Sequence, residues 1–207
     1  LAGPAVTRAD PAHALSTSGK ESSHQSRVTK AMTDITGQLA RYMAQARERN
    51  LAPHVEREAR HRILDTLAAM VSGAHLKAGE MAVRYARAQG GTAEAIVLTT
   101  DIVTSAVNAA LVNGMFAHAD ETDDFEPVTK AHPGSAVVPA ALAMAEREGR
   151  SGAELLAAVT LGYDVCCRFL LALGPDRVRA SHRSAEGTSS TMGAVAAAAS
   201  LARLDEK

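Results

Sequence analysis

Alanine is the residue that most limits what this chain can become. It fills 43 of 207 positions, while aromatics make up 3% and Trp is absent. Ala has the highest helix propensity and the smallest apolar side chain. A chain of this kind packs helix backbones close together and has few large rings to fill a core. Hydrophobic residues at 46% against charged ones at 22% fit a packed domain rather than a disordered chain. The formal net charge of −1 excludes a broad cationic field for nucleic acid or acidic membranes. Scarce aromatics argue against a reader of single strands by base stacking.

Residues 1–31 differ from the rest. They are rich in Ser and Thr (Ser16, Thr17, Ser18, Ser22, Ser23, Ser26, Thr29), carry few large apolar residues and show no periodicity. They read as a disordered extension, and residues 32–207 as the folded domain. Cys166 and Cys167 are adjacent, and neighbours in sequence make poor disulfide partners. Two reduced thiols and no signal-peptide pattern point to a cytoplasmic protein. No apolar run approaches the ~20 residues that span a bilayer, so no membrane partner is expected.

The pattern from Met32 onward is helical. Ile35, Leu39, Tyr42, Met43 and Ala46 share one face, and Pro53 opens a second helix ending near Gly73. Glu56–Arg60 and Glu58–Arg62 are i,i+4 ion pairs, and His61 is set to pair with Asp65. A third helix runs from Lys77 to Gln89. Ile96-Val97-Leu98 is the one strand-like run, too short for a sheet core. Thr100 or Asp101 caps a helix to Ala117, with a small-residue line Ala106, Ala110, Gly114 ending at His118. A helix over residues 135–147 follows. Ser151 with Glu154 forms a capping box for a helix closed by Gly174-Pro175. The last helix, residues 191–202, is almost all Ala. The expectation is an all-α fold of roughly seven helices.

Chemistry concentrates between His118 and His132, which enclose Asp120, Glu121, Asp123, Asp124 and Glu126. A calcium loop is disfavoured because Phe125 stands where the sharp turn needs Gly. His and carboxylate are transition-metal ligands, yet no two histidines have the i,i+4 spacing of a helical zinc motif. Proton transfer is the third chemistry, since crowded carboxylates raise a pKa toward the range where His titrates. A solvated acidic loop is the plain alternative. His182 is the other candidate, before Thr188-Ser189-Ser190-Thr191 and a helix N-terminus able to hold an anion. Lys130, Arg168 and Arg183 are candidate carboxylate anchors.

Several short motifs then occur in order: Asn113-Gly114, His118-Ala119, Asp123-Asp124, His132-Pro133-Gly134, Pro139-Ala140-Ala141-Leu142-Ala143, Ser151-Gly152, Gly162-Tyr163-Asp164-Val165 with Arg168, and His182 before an Ala-rich helix. This series resembles the MmgE/PrpD family, which includes 2-methylcitrate dehydratase, cis-aconitate decarboxylase and iminodisuccinate epimerase. The resemblance runs from Met32 to Lys207. It implies a helical domain, with a smaller α/β domain and further site residues, a Lys and a Tyr, outside this stretch. The chain therefore reads as truncated at its C-terminus.

The resemblance also implies lyase or isomerase chemistry on di- and tricarboxylates, without metal or cofactor, in homodimers. His132 matches the His of the H-P-[GS] motif, His182 the His before the Ala-rich helix, and Asp123 and Asp124 the paired acids. The acid slightly upstream is Asp120 or Glu121. Phe125 stands where many members have Thr or Ser. The expectation is a dehydratase-like lyase for a small polycarboxylate such as 2-methylcitrate, with His132 and His182 sharing the acid and base roles. The alternatives are a decarboxylase or epimerase of the same family, a non-catalytic half-site completed by a C-terminal partner chain, and a metal-dependent hydrolase using His118 and His132.

Overall fold

Helices carry the architecture of the computed structural model, which describes residues 34–206. The expected extension at residues 1–31 lies outside the described residues. The order is α1 (Ile35–Ala46), α2 (Pro53–Gly73), α3 (Lys77–Gln89), β1 (Ala95–Ile96), β2 (Val103–Thr104), α4 (Ala106–Ala117), α5 (Gly134–Glu148), α6 (Gly152–Leu173), α7 (Pro175–Ala180) and α8 (Ala185–Leu201). This is the expected all-α class, with eight helices among the described residues. The chain divides at Ala40 into two units. In the first, Gly37 N–H donates to Asp34 Oδ1 as α1 opens. Everything below concerns the second unit, from Arg41 onward.

Small residues set how closely the helices approach. The α6–α8 pair is the most extensive contact. A Cβ on Gly193 would lie 2.6 Å from the Gly162 carbonyl oxygen, and one on Gly162 would lie 2.4 Å from Val137 Cγ1. Glycine at both positions is what lets the two backbones meet. Met70, Val97, Val112, Phe116, Val137, Val138 and Val159 fill the centre, joined by Ala82, Ala86, Ala117, Ala141, Ala158 and Ala197. Cys166 and Cys167 are both free thiols, and Cys166 is buried against Ala131, Leu170, Val178 and Ala185.

Four local expectations change. The helix expected from Thr100 or Asp101 begins at Ala106, because Val103 and Thr104 pair with Ile96 and Ala95 in a two-residue antiparallel hairpin. Ser105 Oγ then caps α4 by accepting from Asn108 N–H. Buried Asn113 pins the hairpin to α4, donating to the Ile96 carbonyl and accepting from Leu98 N–H. The last helix starts at Ala185, six residues early, with Ser184 as its cap. Thr188, Ser189 and Thr191 therefore lie inside α8 and donate to carbonyls one turn back. That removes the anion site expected at a helix start after Thr191. His61 pairs with Glu58, not Asp65. Finally, α6 has the length and apolarity to cross a membrane, with 22 residues and a mean hydropathy of 1.7 over an 18-residue stretch. Glu154, Asp164 and Arg168 interrupt it, so its longest uncharged run is residues 155–163. Its buried residues pack on α8, α5 and α2.

The capping box of α6 is present as expected. Ser151 Oγ accepts from Glu154 N–H, and Glu154 Oε2 accepts from Ser151 N–H at 2.9 Å. That backbone bond, with Arg203 beside it, draws the Glu154 carboxyl down to about 2. The stability it lends is present above its ordinary value of 4.5 and is lost as the pH falls toward about 2. Ser151→Ala is expected to lower unfolding stability by about 1 kcal/mol at neutral pH. Glu154→Gln should flatten the acid limb of the stability curve. Urea unfolding across pH reads both.

Candidate functional site

The segment between α4 and α5 builds the site. His118 ends α4, its N–H still bonded to the Gly114 carbonyl. Residues 126–131 then close on themselves. Glu126 N–H donates to Ala131 O, and Lys130 N–H donates to Glu126 O. The Glu126 carboxylate accepts from Val128 N–H and from the Thr129 amide and hydroxyl. Burial raises its pKa, but these bonds outweigh that and hold the carboxyl below its usual range. The turn delivers His132 and Pro133 to the start of α5.

Burial sorts the five acids. Asp120 and Glu121 are exposed; Asp120 accepts from Thr122 Oγ1, and Glu121 takes a left-handed backbone at φ 55°. Asp123 and Asp124 are buried and meet different partners. Asp123 Oδ1 lies 3.0 Å from His118 Nδ1 and 3.4 Å from His132 Nδ1. Its side chain is 0% exposed, against 43% for His118 and 19% for His132. Asp123 Oδ2 has no hydrogen-bond partner. The two imidazoles meet edge to face with centroids 5.4 Å apart, and Phe125 flanks His132 at 5.5 Å. The three ligand-type atoms of His118, Asp123 and His132 lie within 4.8 Å of one another.

Asp124 serves the scaffold. Its Oδ1 accepts from Gly134 N–H at 2.8 Å, placing a carboxylate at the N-terminus of α5. The Tyr163 hydroxyl of α6 and Thr66 Oγ1 of α2 converge on the same spot. Burial pushes the Asp124 carboxyl above its ordinary value, and repulsion from Asp123 is the smallest contribution. The crowding expected from the acidic run thus acts less than desolvation does. Burial, together with the Asp124 charge, also raises the Tyr163 phenol.

His118 and His132 lie in the wall of a cavity of about 540 Å³, with Leu111, Gly114, Met115, Ser135, Ser190, Thr191 and Val195. That volume falls within the roughly 300–1,000 Å³ of ordinary ligand sites. His132 Nδ1 is turned to Asp123, so Nε2 is the nitrogen available to the cavity. The described lining contains no Arg or Lys. Lys130 lies nearby, its ammonium 5.1 Å from the Phe125 ring centre. Arg168 is ion-paired with Asp164, which also accepts from Tyr42 OH at 2.6 Å. His182 and Arg183 are exposed between α7 and α8, with His182 left-handed at φ 58°. Neither is in the described cavity wall, although Gly187 in the first turn of α8 is.

Of the expected site residues, the fold therefore joins His132 to Asp123 directly and Asp124 to their support. It leaves Asp120, Glu121, Lys130, Arg168, His182 and Arg183 outside the wall. Thr66 and Tyr163 carry no sequence signal of their role, because the contact spans three separate elements. The spacing of five between His118 and Asp123, across a helix end, hides their meeting in the sequence.

The MmgE/PrpD N-terminal domain matches residues 37–207. The chain belongs to the MmgE/PrpD family. Members of this family are lyases and dehydratases. A cis-aconitate decarboxylase-like protein of Aspergillus oryzae is 25% identical over 138 residues, covering 63% of this chain and 29% of that relative. The match thus spans less than a third of the relative's length.

Proposed function

We propose that this chain forms the helical half of a lyase site that removes a proton alpha to a carboxylate of a small di- or tricarboxylate such as 2-methylcitrate. The observation that carries the reading is the buried Asp123 carboxylate against His132 Nδ1 in a cavity wall. A buried carboxylate 3.4 Å from Nδ1 favours the proton on that nitrogen electrostatically and leaves Nε2 as the base. It also stabilises the imidazolium formed when Nε2 takes the proton. In dehydration the C–H electron pair becomes the new C=C bond, and hydroxide departs as water with a proton from a second acid. The family resemblance supports His182 as that acid, on the segment that leads into Gly187 and Ser190 of the wall. Lys130 and Arg183 are assigned as carboxylate anchors. No metal or cofactor enters these steps.

The family includes decarboxylases as well as dehydratases, and the relative's name carries the former activity. The two differ in what leaves, water or carbon dioxide. The test incubates the intact protein with 2-methylcitrate and with cis-aconitate in D₂O and follows the products by NMR. The expected result is water loss from 2-methylcitrate. Carbon dioxide release from cis-aconitate would move the assignment to the decarboxylases. Neither turnover nor solvent deuterium at the alpha carbon would overturn the reading.

A further inference from the structure

We propose that His118 Nδ1, Asp123 Oδ1 and His132 Nδ1 form a binding site for a divalent transition metal of the Zn²⁺ or Co²⁺ type, and that its occupation inhibits the proposed proton transfer. The second part rests on the function proposed above; the first part does not.

The argument begins with Asp123. Its side chain is fully buried, and both of its ion-pair partners among the described residues are histidines. A buried carboxylate needs a compensating cation, and an unpaired oxygen on it carries a desolvation cost. Oδ2 has no partner, and His132 Nδ1 lies beyond good hydrogen-bond geometry. The spacing suits a metal better than a hydrogen bond at His132. Bonds of about 2.1 Å at a tetrahedral angle put neighbouring ligand atoms about 3.4 Å apart. The two nitrogen-to-Oδ1 separations are 3.0 and 3.4 Å. The remaining nitrogen pair lies within 4.8 Å and closes by rotation of His118, the half-exposed ring. Two imidazoles and one carboxylate select Zn²⁺, Co²⁺, Fe²⁺ or Ni²⁺ over Ca²⁺ and Mg²⁺, which prefer oxygen ligands. Three protein ligands leave at least one coordination position open.

The inhibitory consequence follows from atoms. A metal on Nδ1 of His132 takes the place of the proton held there beside the Asp123 carboxylate. The imidazolium formed by proton abstraction then faces a cation where it had faced a carboxylate.

The experiment titrates the intact protein, without a polyhistidine tag and stripped by chelator, with Co²⁺ alone. Visible d–d absorption reads coordination whether or not the protein is active. The expected result is a saturable 1:1 band, with affinity weakened at least about 10–100-fold in Asp123→Asn and in His118→Ala. Circular dichroism checks their folding, and His118→Ala, at a half-exposed position, keeps the test decisive if Asp123→Asn does not fold. No saturable band, or a band unchanged in a folded variant, overturns the site. In a parallel turnover assay, activity should fall with Co²⁺ occupancy and return with chelator. Activity that rises with Co²⁺ overturns the inhibition and, separately, the metal-free reading above.

Discussion

His132→Ala lowers kcat by about 10²–10⁴-fold, the range expected for loss of a positioned general base, while the helices stay folded. The imidazole contacts Asp123, His118 and Phe125. The structural bonds of this residue come from its backbone: the His132 carbonyl accepts from the hydroxyls of Ser135 and Ser190, and both survive the substitution. A group that acts in the transition state takes kcat and kcat/KM down together, with KM little changed. Steady-state kinetics on the substrate found by NMR, with circular dichroism as the folding control, makes the measurement. His182→Ala tests the second proton carrier in the same way. Full activity in either folded variant removes that residue from the mechanism.

Gly134→Ala is expected to lower stability by about 2–5 kcal/mol. A Cβ at this position would stand 2.6 Å from Asp124 Oδ1, 2.6 Å from Thr66 Oγ1 and 2.9 Å from Tyr163 OH. These distances are shorter than any real Cβ contact, and the three groups come from the acidic segment, α2 and α6. Overpacking contributes about 1–3 kcal/mol. Displacing Asp124 from the Gly134 N–H adds a comparable loss at a charged, buried acceptor. Since small domains are stable by only about 5–15 kcal/mol, the variant should unfold at far lower urea. Gly152→Ala is the matched control. It opens α6 with nothing within 4 Å of the added methyl, so it should be neutral or slightly stabilising. Equal stability of the two variants would mean that the cluster around Gly134 yields easily.

Helix existence was legible from apolar spacing and Ala content, and the Ser151–Glu154 cap was legible because both partners sit within one turn. The start of α8 was misplaced because Thr188, Ser189 and Thr191 resemble a polar cap in sequence, while in the helix their hydroxyls bond to carbonyls one turn back. The start of α4 was misplaced because a two-residue hairpin leaves too short a pattern to detect.

The site divides along the same line. Residue types marked the whole run from His118 to His132 with its five acids, and the family resemblance picked out His132, Asp123 and Asp124 within it. Choosing among five acids required burial, which depends on what packs over each one. Asp123 became the partner of two histidines because residues 126–131 fold back and bring His132 beside the end of α4. Asp124 became a support because α2 and α6 deliver Thr66 and Tyr163 to the first turn of α5. Local sequence sets which backbone forms are cheap, and contacts between distant elements set which side chains lose water. The chemistry of a carboxylate depends on the second.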